Sequence, residues 1–403
     1  MGLTTRLGPR RGCESYGGHI LLSTDQLVTE ALEVASAPAF SDLKFLSPLE
    51  SLVEGLNTEA ALNDIGRQFH AARLTDLLAN RLRLEQWIER YPEILGEKIF
   101  SPIVVIGLPR TGTTMLHRSI AADNQLLAPL WYEVRQPSPL NDNFEQDDDR
   151  IPIAQAEVAA MLEASPELAA IHPMDPIAAD EEIMLLEHAF MSTVPECYGF
   201  MPNYGESLYE QDQSAAYDYL YLQLQFLQWQ KRRKGLTGKR WLLKTPHHLH
   251  YPEHLFARFP DAVVIQTHRH PLEVIPSYGS MMSALASPFT DKLDPVAMAQ
   301  HWANKWQVGL AKTREFRDNG HDDRYLDLWF KDSVSDPEAT IRRIYEFTGQ
   351  TLTEAALAEM TRWREMNARE NRPEHHYQLS DYGFTPSGIE DQFGDYISRH
   401  VTR

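Results

Sequence analysis

Cysteine is nearly absent from this chain. Cys13 and Cys197, two among 403 residues, cannot make a disulfide framework, and neither belongs to a group with metal-ligand spacing, so the expectation is a reducing cytoplasm. Long apolar runs are missing too, which excludes an integral membrane span, and the first twenty residues lack the hydrophobic core of a signal peptide. Met1-Gly2 begins like a myristoylation site, but Arg6 stands where serine or threonine is wanted. Residues 1–19 are therefore read as a flexible leader. Positive charge is scarce: 38 Lys and Arg against 57 Asp and Glu give a formal net charge of −19, which argues against nucleic acid as a partner. Apolar residues are not scarce. At 43% of the chain they suffice for one large α/β domain with a smaller appendage.

Residues 103 to 114 read Ile-Val-Val-Ile-Gly-Leu-Pro-Arg-Thr-Gly-Thr-Thr, an apolar strand running into a glycine-bounded turn that opens a helix. Free N–H groups and the positive end of the dipole at a helix start hold a phosphate-like anion. Gly107 and Gly112 keep the five-residue offset of a nucleotide P-loop, while Thr113 and Thr114 add hydroxyl donors. One part of a P-loop is absent: Thr113 occupies the place of the lysine that reaches the β and γ phosphates, and the cation is Arg110, inside the turn. Such a loop suits two linked anionic groups with no third phosphate and no obligatory metal. An ordinary turn between strand and helix is the alternative.

Residues 240 to 277 hold Arg-Trp-Leu-Leu-Lys-Thr-Pro-His-His, a helix-like stretch, the strand Ala262 to Thr267, then His-Arg-His-Pro and, eight residues past Arg269, Ser277. Pro271 suits a first helical turn, which puts Arg269 at the carboxyl end of a strand and Ser277 about two turns into the next helix. Ligands of open α/β sheets lie along that edge. Arg110 and Arg269 would each meet one of two separate anionic groups.

In these two segments the chain resembles sulfotransferases that use 3′-phosphoadenosine 5′-phosphosulfate (PAPS). Gly107-Leu-Pro-Arg-Thr-Gly-Thr-Thr is similar to their 5′-phosphosulfate loop, in the Pro-Arg form of bacterial and Golgi members. Arg269 and Ser277 match their 3′-phosphate pair in type and spacing, and the resemblance covers roughly residues 96 to 350. It implies a P-loop-like parallel sheet flanked by helices, with sulfuryl transfer from PAPS to a hydroxyl and release of adenosine 3′,5′-bisphosphate.

That chemistry needs a base for the acceptor hydroxyl and cations for the sulfuryl and leaving oxygens. The resemblance nominates Glu133, 23 residues after Arg110, as first choice for base, with His247 as competitor because it follows Lys244 in Lys-Thr-Pro-His, although Pro246 is inserted. A salt bridge from Glu133 to Arg135 and a backbone-satisfied helix-start histidine are their structural readings. Lys244 and Arg110 would neutralise the sulfuryl and bridging oxygens; the cofactor side would be Arg110, Thr111, Gly112, Thr113, Thr114, Arg269 and Ser277. No metal is assigned.

Residues 20–95 read as a helical subdomain. Ser23 with Gln26 and Ser47 with Glu50 are capping-box signatures, and Leu74, Leu77, Leu78, Leu84 and Ile88 recur at helical spacing with Arg81 interrupting. Core packing is the default use of that stripe and a homodimer seam the sharper one. Residues 96–403 form the catalytic domain. Its insertion, about 124–238, is rich in aromatics and methionine and is expected to hold an apolar or aromatic alcohol such as a phenol, steroid or lipid. Asp147 to Asp149 read as a solvated loop, and Asp180, Glu181 and Glu182 as helix-start charges of which one reaches toward the acceptor. Further on, Tyr325 to Phe330 reads as a strand and Asp336-Pro337 as a helix start; the tail beyond Arg372, with His375 and His376, receives no site residue. The rival classes are a P-loop kinase or NTPase, which wants the missing lysine and a metal-binding carboxylate, and a nucleotide-binding module without catalysis.

Overall fold

The structure, a computed structural model, describes residues 15–16, 19–164, 166, 169, 174–367 and 377–401. Most of the expected leader lies outside the described residues, as do His375 and His376; Ser15–Tyr16 pairs antiparallel with His19–Ile20.

Five parallel strands make the central sheet: β1 (Ile103–Gly107), β2 (Leu126–Leu127), β3 (Arg240–Lys244), β4 (Val263–His268) and β5 (Tyr325–Trp329), in the spatial order β2-β3-β1-β4-β5. A parallel sheet is covered on both faces, and the alternation of side chains along β1 shows how. Val104 and Ile106 join a core with Trp241, Leu243 and Val264, while Ile103 and Val105 join the opposite core with Leu242, Ile265, Leu328, Ile341 and Ile344.

Helices supply both layers. Before the sheet come α1 (Thr24–Ala35), α2 (Leu46–Thr58) and α3 (Asp64–Arg90). Then follow α4 (Thr113–Ile120), α5 (Trp131–Arg135), α6 (Ser214–Arg233), α7 (Pro271–Ala286), α8 (Pro295–Phe316) and α9 (Gly394–His400). Ser23 is the N-cap of α1, its side chain accepting from Gln26 N. The second capping signature is not used: α2 begins at Leu46, ahead of Ser47, and its cap residue Phe45 makes no side-chain bond.

The leucine stripe of α3 is buried within the chain. Leu74, Leu77, Leu78 and Leu82 share a core with α1, α2 and four residues from far along the sequence, Phe190, Met201, Tyr204 and Leu208. Arg81 does not interrupt that seam but belongs to it, its guanidinium 4.6 Å from the Phe45 ring and 4.0 Å from the Tyr219 ring, with Nη1 donating to His188 O. Among the described residues no helix is long and apolar enough to cross a membrane.

Candidate active site

Because the strands run parallel, the carboxyl ends of β1, β3 and β4 share one edge, and the register fixes their spacing: Val105 lies beside Lys244, and Gly107 beside Thr267. The loop after β1 needs unusual backbone at three points. Gly107 has φ +148°, and a Cβ there would sit 2.4 Å from Thr267 Oγ1; Gly112 has φ +85°, and its Cβ would sit 2.8 Å from the Phe330 ring. Arg110, with φ +69°, holds the left-handed region without glycine's freedom. Strain of this kind, about 1–3 kcal/mol, persists where the surroundings over-determine it and clusters at functional loops.

Those surroundings are the other two segments. Arg110 Nε donates to Ser277 Oγ at 3.2 Å, and Arg269 Nη1 donates to the Arg110 carbonyl at 3.1 Å. Arg269 also pairs with Glu273 and stands 4.2 Å over the Phe330 ring, the same ring that limits Gly112. At the other end Lys244 Nζ donates to Thr114 Oγ1 at 3.2 Å. Arg110, Thr114, Lys244, Arg269 and Ser277 are thus brought together, around the amino terminus of α4, whose first N–H groups have no helical acceptor. Thr111 is the exception. Its hydroxyl turns inward, donating to Leu108 O at 2.7 Å and meeting Thr267 Oγ1 at 2.6 Å, with 1% of the residue exposed. Through those two bonds the Thr111 side chain braces the loop.

The two expected bases fare differently. Glu133 is buried, and its partner is not Arg135: Lys231 Nζ lies 2.8 and 2.7 Å from its two oxygens, and Leu130 N donates to Oε2 at 2.9 Å. A carboxylate so engaged closes the cap of α5 and neutralises a buried lysine. His247 is fully buried in a short turn after β3, its backbone N bonded to Thr245 Oγ1. Neither ring nitrogen has a hydrogen-bond partner among the described residues. Burial, reinforced by nearby His248 and Lys305, holds its pKa well below the ordinary histidine value, so the ring is neutral.

An acid group does reach the cations. Glu181 forms an ion pair with Lys244 Nζ, beside Thr114, and burial raises its carboxyl above the ordinary value against the pull of Lys244. Glu182 turns the other way: Oε2 accepts from Lys244 N at 2.7 Å and Oε1 meets His248 Nε2 at 2.9 Å, while Tyr217 OH meets the other nitrogen of that ring. Glu182 therefore fixes the end of β3 so that Lys244 and Glu181 stay aimed at the loop. The trio 180–182 does stand at a helix start, with Glu182 as the N-cap of the four-residue helix Ile183–Leu186. Asp148, expected in solvent, is likewise clamped by Arg150 and Lys234.

The sequence model of a family described as "Sulfotransferase family" matches residues 102–354. The omega-hydroxy-beta-dihydromenaquinone-9 sulfotransferase Stf3 of Mycobacterium bovis is 23% identical over 310 residues, 74% of this chain and 74% of that protein. Among solved structures, the sulfotransferase STF1 of Mycobacterium tuberculosis H37Rv superposes with a TM-score of 0.82 at 26% identity, covering 93% of this chain and 99% of that one. STF9 of Mycobacterium avium superposes with a TM-score of 0.84 at 23% identity, covering 97% and 99%.

Proposed function

Because this chain belongs to the sulfotransferase family, we propose that it moves the sulfuryl group of PAPS to the hydroxyl of a hydrophobic or aromatic alcohol and releases adenosine 3′,5′-bisphosphate. The observation that carries the reading is the convergence of Arg110, Ser277, Arg269 and Lys244 on one loop, a donor set suited to a ligand with two separated anionic groups. Arg269 and Ser277 take the 3′-phosphate. The amide groups opening α4, with Thr113 and Thr114, take the 5′-phosphate. Lys244 and Arg110 face the sulfuryl and bridging oxygens, where charge grows as the sulfur–oxygen bond breaks.

Glu181 is the base. It replaces Glu133 because it stands at Lys244, where the sulfuryl group would lie, with a carboxyl lifted toward neutrality by burial. When PAPS draws Lys244 to its own oxygens, Glu181 is released to accept the hydroxyl proton. His247 is the second reading, favoured by its two unpartnered ring nitrogens. Separate Glu181→Gln and His247→Ala variants decide between them, since loss of the base costs about 10²–10⁴-fold in rate.

The experiment for the whole reading is calorimetric titration with adenosine 3′,5′-bisphosphate and with ATP, each with and without Mg²⁺, on wild type and Arg269→Ala. Metal-independent bisphosphate binding that Arg269→Ala weakens supports it. Binding of ATP with Mg²⁺ in place of the bisphosphate overturns it in favour of a kinase or NTPase. A wild type that binds the bisphosphate and transfers no sulfuryl group from PAPS to any of a panel of alcohols is a binding module.

A further inference from the structure

The C-terminal helix α9 is bonded to both strands that end beside the loop. The last paired residues of β4 and β5 are His268 and Trp329, so Arg269 and Phe330, the residues that follow, stand past the ladder and take their positions from other contacts. His268 turns to α9: its Nδ1 lies 3.1 Å from the Tyr396 hydroxyl, and its ring stacks on that of His400 with centroids 4.2 Å apart and planes 6° from parallel. Its Nε2 lies 2.8 Å from Asp327 Oδ1. Trp329 Nε1, in turn, donates to the carbonyl of His400.

Tyr396 makes the contact nearest to Arg269. Against the effect of burial, hydrogen bonds from His268 and Arg317 hold the Asp327 carboxyl below the ordinary carboxylate range, so Asp327 accepts from Nε2. With the imidazole neutral, Nδ1 is then an acceptor and the Tyr396 hydroxyl its donor. Burial raises the phenol pKa, which keeps that proton in place, and the backbone N–H of Arg269 donates toward the phenol oxygen. One hydroxyl thus ties the side chain of His268 to the backbone of Arg269. Helix α9 is itself held against α8 and the turn after it, since Arg314 Nη1 donates to Asp395 Oδ2 at 2.7 Å and Arg399 pairs with Asp318 at 2.7 Å. Tyr396 and His400, one helical turn apart and therefore on one face, are both buried.

We propose that α9 is a brace of the cation edge and that Tyr396 is a positioning residue for Arg269. Its hydroxyl fixes the backbone from which the Arg269 guanidinium reaches the loop, while the bond from Trp329 to His400 fixes the segment whose Phe330 ring lies under that guanidinium. The inference rests on the proposed 3′-phosphate role of Arg269 and goes beyond it, because Tyr396 acts on the nucleotide only through another residue. It also gives a part in donor binding to the tail, where the sequence pattern nominated no residue.

The test compares adenosine 3′,5′-bisphosphate with adenosine 5′-monophosphate, by calorimetry, on the full chain. Wild type is expected to prefer the bisphosphate by about 10- to 100-fold. Tyr396→Phe keeps the buried ring and removes the hydroxyl; it should weaken the bisphosphate by about fivefold and leave the monophosphate within about twofold, a loss of preference that general damage to the fold does not produce. In an Arg269→Ala background the same substitution should change neither affinity by more than about twofold, because the residue it acts through is gone. Trp329→Phe, which cuts the other bond to α9, should lower the preference in the same sense and serves in place of Tyr396→Phe should that variant not fold. The proposal is overturned if the preference survives in these variants, if both nucleotides weaken alike, or if Tyr396→Phe still weakens the bisphosphate without Arg269. A wild type that shows no preference removes the 3′-phosphate reading of Arg269 itself, and the two failures are thereby distinguished.

Discussion

The sheet edge that carries the cations and the groove between α3 and α5 are built on opposite plans. At the donor edge each cation stands at the end of a strand or in the loop that leaves one, so a few short stretches of sequence carry the whole constellation: 107–114, 244 and 269–277. At the groove the walls come from α3, α5, Glu157, Met184 and Glu187, and what joins them is ion pairing between distant positions, Arg73 with Glu187 and Arg135 with Glu157. The first plan keeps anion-binding geometry constant because the sheet fixes it. The second lets the pocket change by replacement of single helix residues without disturbing a strand.

Glu181 stands at the sheet edge, paired with Lys244, and its removal is the strongest way to test the contrast. Glu181→Gln keeps the shape and is expected to lower kcat by about 10²–10⁴-fold while bisphosphate binding changes little. The pH profile adds a second check. A base works deprotonated, and burial raises the Glu181 pKa, so activity is present above that raised value and falls as pH drops through it. The acid limb should therefore lie above the ordinary carboxylate range. A wild-type limb that Glu181→Gln leaves unmoved would transfer the role to another group, His247 first.

Next in size comes Glu133→Gln. If Glu133 serves only as the partner of Lys231, losing its charge strands a lysine that is 4% exposed, and the expected cost is about 3–5 kcal/mol of folding stability. Denaturant unfolding measures it. The surviving folded fraction should retain its kcat; a folded variant with near-normal stability and lost turnover would restore Glu133 as base.

Arg269→Ala probes the donor edge alone. Charge-assisted hydrogen bonds contribute about 1.5–3 kcal/mol, so bisphosphate affinity should fall by about 10- to 100-fold, read by calorimetry. The groove should be undisturbed, because Arg269 touches Arg110, Glu273 and Phe330 and none of its walls. A variant that bound the bisphosphate as tightly as wild type would remove Arg269 from the anion site.

What could be read without coordinates follows the same division. Strands β1, β3, β4 and β5, the loop and the Arg110, Arg269 and Ser277 grouping were legible because each is a local pattern of alternation, glycine placement or helix start, whereas the two-residue β2 is too short to show one. The sheet then had only one edge on which to gather them. The ion-pair partner of Glu133 was not legible for the converse reason: Lys231 lies 98 positions away on α6, and no local feature of Trp-Tyr-Glu-Val-Arg announces it. Arg81 looked like a break in an apolar stripe, since only the folded chain shows Phe45 and Tyr219 on either side of its guanidinium. Glu182 needed Lys244 and His248 on the page before its burial made sense.

Thr111 sharpens the comparison from within the donor edge, with the smallest expected effect. Three threonines follow Arg110 closely, and residue type alone makes them equal donors to an anion. The fold separates them: Thr114 Oγ1 meets Lys244, whereas Thr111 Oγ1 is committed to Leu108 O and Thr267 Oγ1. Thr111→Val keeps the volume and removes one buried hydroxyl whose partners include a carbonyl, so stability should drop by about 1 kcal/mol. Bisphosphate affinity should stay within about threefold, whereas Thr114→Val should weaken it further than that. Equal losses in both variants would mean that the Thr111 hydroxyl turns outward when the anion binds, and the loop would then be a switch rather than a preformed cradle.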